Sequence, residues 1–115
     1  MKKFFWSFVY AFRGVYYAIY SQRNMKVHLL AVAVVSFAGI FLGISAFEWL
    51  AILLCFALVI GLEMVNTAIE LLADKLHPEK NEQIGRVKDV AAGAVLVAAV
   101  FSILIALLIF GKYFF

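Results

Sequence analysis

The sequence predicts an all-α integral membrane protein, with an N-terminal amphipathic surface helix over about residues 4–24 and three transmembrane helices over about 27–47, 49–73 and 90–110. Three observations lead there. The 115 residues are 67% hydrophobic, far above the roughly 45–50% of soluble domains, and mean hydropathy is +1.05. A chain this short has too little interior to hide that hydrocarbon from water, so its apolar solvent must be lipid. Two of the three long apolar runs contain no Asp, Glu, Lys or Arg, and each is about the 20 residues needed to cross a hydrocarbon core. Basic residues cluster in two places, before the first run and between the second and third.

The surface helix is read from Phe5, Phe8, Val9, Phe12, Val15, Tyr16 and Ile19, which follow the i, i+3, i+4, i+7 recurrence. Its aromatic residues suit the headgroup region, and Lys2, Lys3 and Arg13 suit anionic lipid. Packing of the same helix against its own bundle is the competing reading. Val27 to Phe47 is the first span, with Gly39 and Gly43 as a small-residue pair that permits close helix approach. A turn around Ser45 to Glu48 leads to the second span, Trp49 to Ala73, which is interrupted by Glu63, Asn66 and Glu70. Residues 74–89 form a polar loop, and Val90 to Phe110 the third span, opening on the small residues Ala91, Ala92, Gly93 and Ala94. The whole is one domain, 1–115. Lys2, Lys3, Arg13, Arg23 and Lys26 precede the first span and Lys75, Lys80, Arg86 and Lys88 lie in the loop. The excess of basic residues therefore places the N-terminus and the loop on the cytoplasmic side of a multi-pass protein. The lone Cys55 excludes an internal disulfide.

The second span carries the chemistry. A carboxylate at the bilayer centre costs at least about 2.5–3.5 kcal/mol, so intramembrane acids need a reason. At about 100° per residue, Glu63, Asn66, Glu70 and Asp74 share one stripe with Thr67 beside it. At about 1.5 Å per residue, Glu70 lies roughly 6 Å and Glu63 roughly 16 Å deeper than Asp74. Three readings compete: inert interhelical hydrogen bonding, a proton or cation path, and catalysis. In the third, the deep acid is a general base and the shallower acids bind Mg²⁺, a hard ion usually held by one or two carboxylates plus substrate phosphates. The loop favours this reading, because Arg86 and Lys88 return to the membrane near the stripe with positive charge for phosphate oxygens, and Asp89 beside them is placed to orient a lysine or the metal. No glycine-rich nucleotide loop and no zinc spacing is present. His28 reads as an interfacial polar residue, and His77 with Pro78 as turn formers.

Two segments, EMVNTAIELLAD from Glu63 to Asp74 and GRVKDVAAGAVLVAA from Gly85 to Ala99, resemble the prokaryotic diacylglycerol kinase family, which includes Gram-positive undecaprenol kinases. The first departs from the family signature only at Ala73, where Val is usual. The resemblance implies a homotrimer with composite active sites in a bacterial cell membrane, phosphorylating undecaprenol or diacylglycerol with ATP and Mg²⁺. It further implies Glu63 as catalytic base, Asn66 as a positioning residue, Glu70 as a metal ligand, and Lys88 with Asp89 in the ATP phosphate site, with Arg86 contributing charge. Asp74 matches a family acid of unassigned role. The family commonly has Glu-Arg-Asn before the first span, its Glu helping to bind metal. Here Gln22 replaces that Glu while Arg23 and Asn24 are retained, so metal affinity is expected to weaken without the site being lost. The His-Pro-Glu loop and the segment from Arg23 to His28 lean toward undecaprenol. The alternative function is a small ion-conducting or structural membrane protein using the same acids.

Overall fold

In hydrocarbon every peptide group must find its partner within its own segment, so an apolar run becomes helix. The computed structural model describes residues 1–115 as four helices: α1 (Lys2–Ser21), α2 (Arg23–Leu42), α3 (Ala46–Leu76) and α4 (Glu82–Phe114). α2, α3 and α4 are each long and apolar enough to cross a membrane.

The helix boundaries are set by local chemistry, and they correct the expected ones. α1 stops at Ser21 because Gln22 adopts an extended conformation (φ −106°, ψ 121°), serving as C-cap of α1 and N-cap of α2. The expected surface helix to residue 24 therefore ends three residues early. α2 ends at Leu42, not at residue 47. Gly43 is left-handed (φ 65°), and the Ile44 and Gly43 N–H groups donate to the Gly39 and Ile40 carbonyls at 3.1 and 3.3 Å, a Schellman closure that needs glycine. α3 starts at Ala46 through a capping box: Ser45 Oγ accepts from the Glu48 N–H at 3.2 Å and Glu48 Oε1 accepts from the Ser45 N–H at 2.9 Å. The expected loop 74–89 contracts to residues 77–81. α3 continues to Leu76, and Asn81 Oδ1 restarts the helix by accepting from the Gln83 and Ile84 N–H groups. Hydropathy marks where charge begins, whereas these helices run on into the polar zone.

α3 packs most extensively against α4, α2 meets α3 more sparsely, and α1 touches α2 and α3. Ile44, Ile52 and Ile109 form the core at one end, with Trp49 seated on Gly39. The opposite end carries the α1–α2 corner and the α3–α4 loop. The 51 Å length matches the roughly 50 Å of a 33-residue helix. Only 14 of 115 residues are buried, so most of the apolar surface is left for lipid or for other copies. On α1 only Ala18 is buried, and Phe4, Phe8, Phe12 and Tyr16 are exposed.

Candidate functional site

On α3 the polar stripe turns inward. Glu63, Asn66 and Thr67 are the buried polar residues of the chain, at 1%, 4% and 3% exposure, while Glu70 is half-buried and Asp74 exposed. The helical register explains the arrangement: three to four residues apart, these groups share one face, and Ala92, Val95 and Ala99 of α4 border the same cavity as Glu63 and Asn66. Small residues there let α4 approach the acids closely.

Each polar group has a partner, with one exception. Thr67 Oγ1 donates to the Glu63 carbonyl at 3.0 Å. Asn66 Nδ2 donates to Glu70 Oε1 at 2.9 Å, which fixes the amide orientation because an ionised carboxylate only accepts. Asn66 Oδ1 is then enclosed without a hydrogen-bond partner. A buried orphan acceptor costs about 1–3 kcal/mol, which is rarely tolerated unless something else fills the position. Glu63 Oε2 lies 3.3 Å from His28 Nε2, across 35 residues of sequence. The sequence reading missed this pairing. Nothing in the sequence around His28 points to Glu63, 35 residues away.

These residues line a cavity of about 240 Å³ bounded by Asn24, His28, Glu63, Asn66, Ala92 and Val95. A second, apolar cavity of about 330 Å³ lies between α2, α3 and α4, and Val27, His28 and Ala99 border both. Toward the α3–α4 loop, Asp74, His77, Lys88 and Asp89 border a polar cleft of about 690 Å³. In this cleft Lys88 Nζ donates to Asp74 Oδ1 at 2.6 Å. That hydrogen bond, helped by the charges of Asp74 and Glu70, holds the Lys88 ammonium above its usual pKa. The lysine's carboxylate partner is thus Asp74, and not Asp89 as the loop sequence suggested, although Asp89 lines the same cleft. The reason is helical register: once 74–76 and 82–89 are helical, Asp74 and Lys88 face one another across the hairpin.

Arg86 points elsewhere. Its guanidinium pairs with Glu82 at 3.3 Å, both exposed, and it borders a different depression with Ile69, Val87 and Val90. Gln22 is half-buried at the α1–α2 corner and does not line the Glu63 cavity, Asn24 does, and Arg23 is exposed. No group of three or more His, Cys, Asp or Glu residues could hold a metal as a protein cage. The donors present are the Glu70 carboxylate and the orphan Asn66 amide oxygen, hard oxygens that fit a divalent cation arriving with phosphate ligands.

At the far end of the molecule, Glu48 binds Lys112 and Tyr113. Donation from Lys112, the Ser45 N–H and the Tyr113 hydroxyl lowers the Glu48 carboxyl to about 2. Fifteen residues, about 22 Å of helix, separate this group from Glu63.

The family model for prokaryotic diacylglycerol kinase matches residues 9–110. An undecaprenol kinase of Bacillus subtilis is 41% identical over 114 residues, covering 96% of this chain and 89% of that protein. A diacylglycerol kinase of Synechocystis is 36% identical over 100 residues, 86% of this chain but 57% of that protein. The diacylglycerol kinase of Escherichia coli K12 is 26% identical over 95 residues, 83% of this chain and 78% of that protein.

Proposed function

The chain belongs to the prokaryotic diacylglycerol kinase family, and from that premise we propose that it transfers the γ-phosphoryl group of ATP to the hydroxyl of a membrane lipid alcohol. The observation that carries this reading is the Glu63–Asn66 cavity, a buried carboxylate beside an unpartnered acceptor, set between an apolar cavity and the cleft of Lys88. A hydroxyl at the end of a hydrocarbon tail has the matching shape. The tail lies among apolar side chains and the O–H donates to Glu63, which leaves Asn66 Oδ1 free for a cation.

Phosphoryl transfer asks the protein mainly for alignment and charge neutralisation. Glu63 removes the hydroxyl proton as the alcohol oxygen bonds to the γ-phosphorus. The bond from phosphorus to the β–γ bridging oxygen breaks, and ADP leaves with that electron pair. Asn66 is a positioning residue that steadies Glu70 through Nδ2. Lys88 neutralises phosphate charge from the cleft, with Asp74 holding its ammonium in place until phosphate oxygens compete for it. Asp89 borders the same space and Arg86 adds positive potential from the neighbouring face of α4. Glu70, with the Asn66 amide oxygen and support from Gln22, would hold Mg²⁺, which would supply charge stabilisation on the phosphates.

Undecaprenol is the favoured acceptor over diacylglycerol, supported by the 41% identity to the Bacillus enzyme. A homotrimer in the bacterial cell membrane, with α1 on the cytoplasmic surface and the 77–81 loop on the same side, accounts for the uncovered apolar faces and for Gln22 standing outside the cavity of its own chain. The test is incubation of purified protein with ATP, Mg²⁺ and vesicles carrying undecaprenol or diacylglycerol. A phosphorylated lipid, abolished in a folded Glu63→Gln variant, is the expected result. Absence of any lipid phosphate, or full turnover by Glu63→Gln, overturns the reading.

A further inference from the structure

The carboxylate of Glu63 is buried, yet only one side chain donates to it, and that side chain comes from another helix. His28 Nε2 lies 3.3 Å from Glu63 Oε2, and no other ionisable side chain forms an ion pair or hydrogen bond with either group. The nearest charged groups on the packed elements sit toward the loop: Glu70 and Asp74 on α3, Lys88 on α4 and Lys26 on α2. Facing a carboxylate, Nε2 carries the hydrogen and donates. Oε1 makes no hydrogen bond within the chain.

The placement of the imidazole is informative in a second way. α2 meets α3 sparsely, so this contact is the polar tie that sets their spacing at the depth of the site. His28 also borders both the apolar cavity and the polar one, so it stands where a lipid tail gives way to its hydroxyl. A histidine serving only to satisfy its own polarity would not need that position.

We infer that His28 is a positioning residue for the transfer: by donating to Glu63 Oε2 it locks the carboxylate rotamer and leaves Oε1 as the oxygen that receives the hydroxyl proton. The inference rests on Glu63 acting as the base. Without the imidazole the carboxylate swings between rotamers, and a displacement of about 1 Å at a reacting group costs on the order of 100-fold in rate.

The experiment compares native protein with His28→Leu, His28→Gln and Glu63→Gln, in vesicles containing undecaprenol and ATP–Mg²⁺. Circular dichroism and thermal midpoint serve as folding controls. His28→Leu is expected to lower kcat about 100-fold with KM for both substrates within threefold. His28→Gln keeps an N–H donor at similar reach and is expected to recover at least tenfold of that loss. Native-like kcat in His28→Leu, a loss confined to KM, or no recovery in folded His28→Gln each overturns the assignment. A native protein that makes no lipid phosphate instead refutes the kinase reading, and an active Glu63→Gln refutes the choice of base, so the failures are separable.

Discussion

Asn66 separates a site from a set of inert interhelical contacts. Truncation to Ala removes one hydrogen bond to the charged Glu70, which stabilises by about 1.5–3 kcal/mol, and also removes the enclosed orphan Oδ1, whose burial costs about 1–3 kcal/mol. The two nearly offset, so the net change in stability lies within about 2 kcal/mol and the protein stays folded. Activity follows a different arithmetic. Losing the oxygen free for the cation and the donor that steadies Glu70 is expected to lower turnover by about 100-fold or more. Stability is measured by SDS titration in mixed micelles followed by tryptophan fluorescence, and turnover by transfer of labelled phosphate to lipid in the same preparation. A loss of more than about 3 kcal/mol, with activity falling only as far as the folded fraction falls, would refute the reasoning and make Asn66 a structural hydrogen bonder.

Gln22→Glu restores a charged ligand where this chain has an amide, and is expected to lower the Mg²⁺ concentration giving half-maximal activity; an unchanged midpoint counts against Gln22 as a ligand. Glu48 has a folded pKa near 2 against an ordinary 4.5, so its contribution is complete above pH 4.5 and is lost as pH falls toward 2. Acid titration of Trp49 fluorescence is therefore expected to show a transition in that window that Glu48→Gln lacks. At Gly39 an added Cβ would sit 2.8 Å from Trp49 Cζ2 and 3.1 Å from Ile44 Cδ1, so Gly39→Ala is expected to cost about 1–3 kcal/mol, partly recovered by Trp49→Leu. Equal SDS midpoints for native and Gly39→Ala protein would show that the ring yields without cost.

What could be read from sequence was what repeats along one helix. The stripe of Glu63, Asn66, Glu70 and Asp74 is a matter of register, and hydropathy marks three helices because lipid imposes helix on any long apolar run. Partners contributed by another helix were not legible. Nothing near His28 indicates Glu63, and nothing near Glu48 indicates Lys112 and Tyr113, because both contacts depend on how α2 and α4 lie against α3. Asp89 was the natural guess for the partner of Lys88 because it adjoins it, and only the short 77–81 loop brings Asp74 opposite. Helix ends were missed for a related reason: the cap Asn81 lies in a polar stretch that composition reads as loop, and the cap Ser45 in an apolar stretch that it reads as span.

The five-residue connection between α3 and α4 has a consequence for how the chain enters the bilayer. A lone α3 would carry two naked acids and an amide into oil, a poor insertion sequence despite its many leucines. Joined so tightly to α4, whose run from Val90 to Phe110 carries no charge, it can cross as a helical pair, with Glu63 already buried. The same tight turn that faces Asp74 with Lys88 thus lets a segment dressed for chemistry pass for an ordinary membrane anchor during biogenesis.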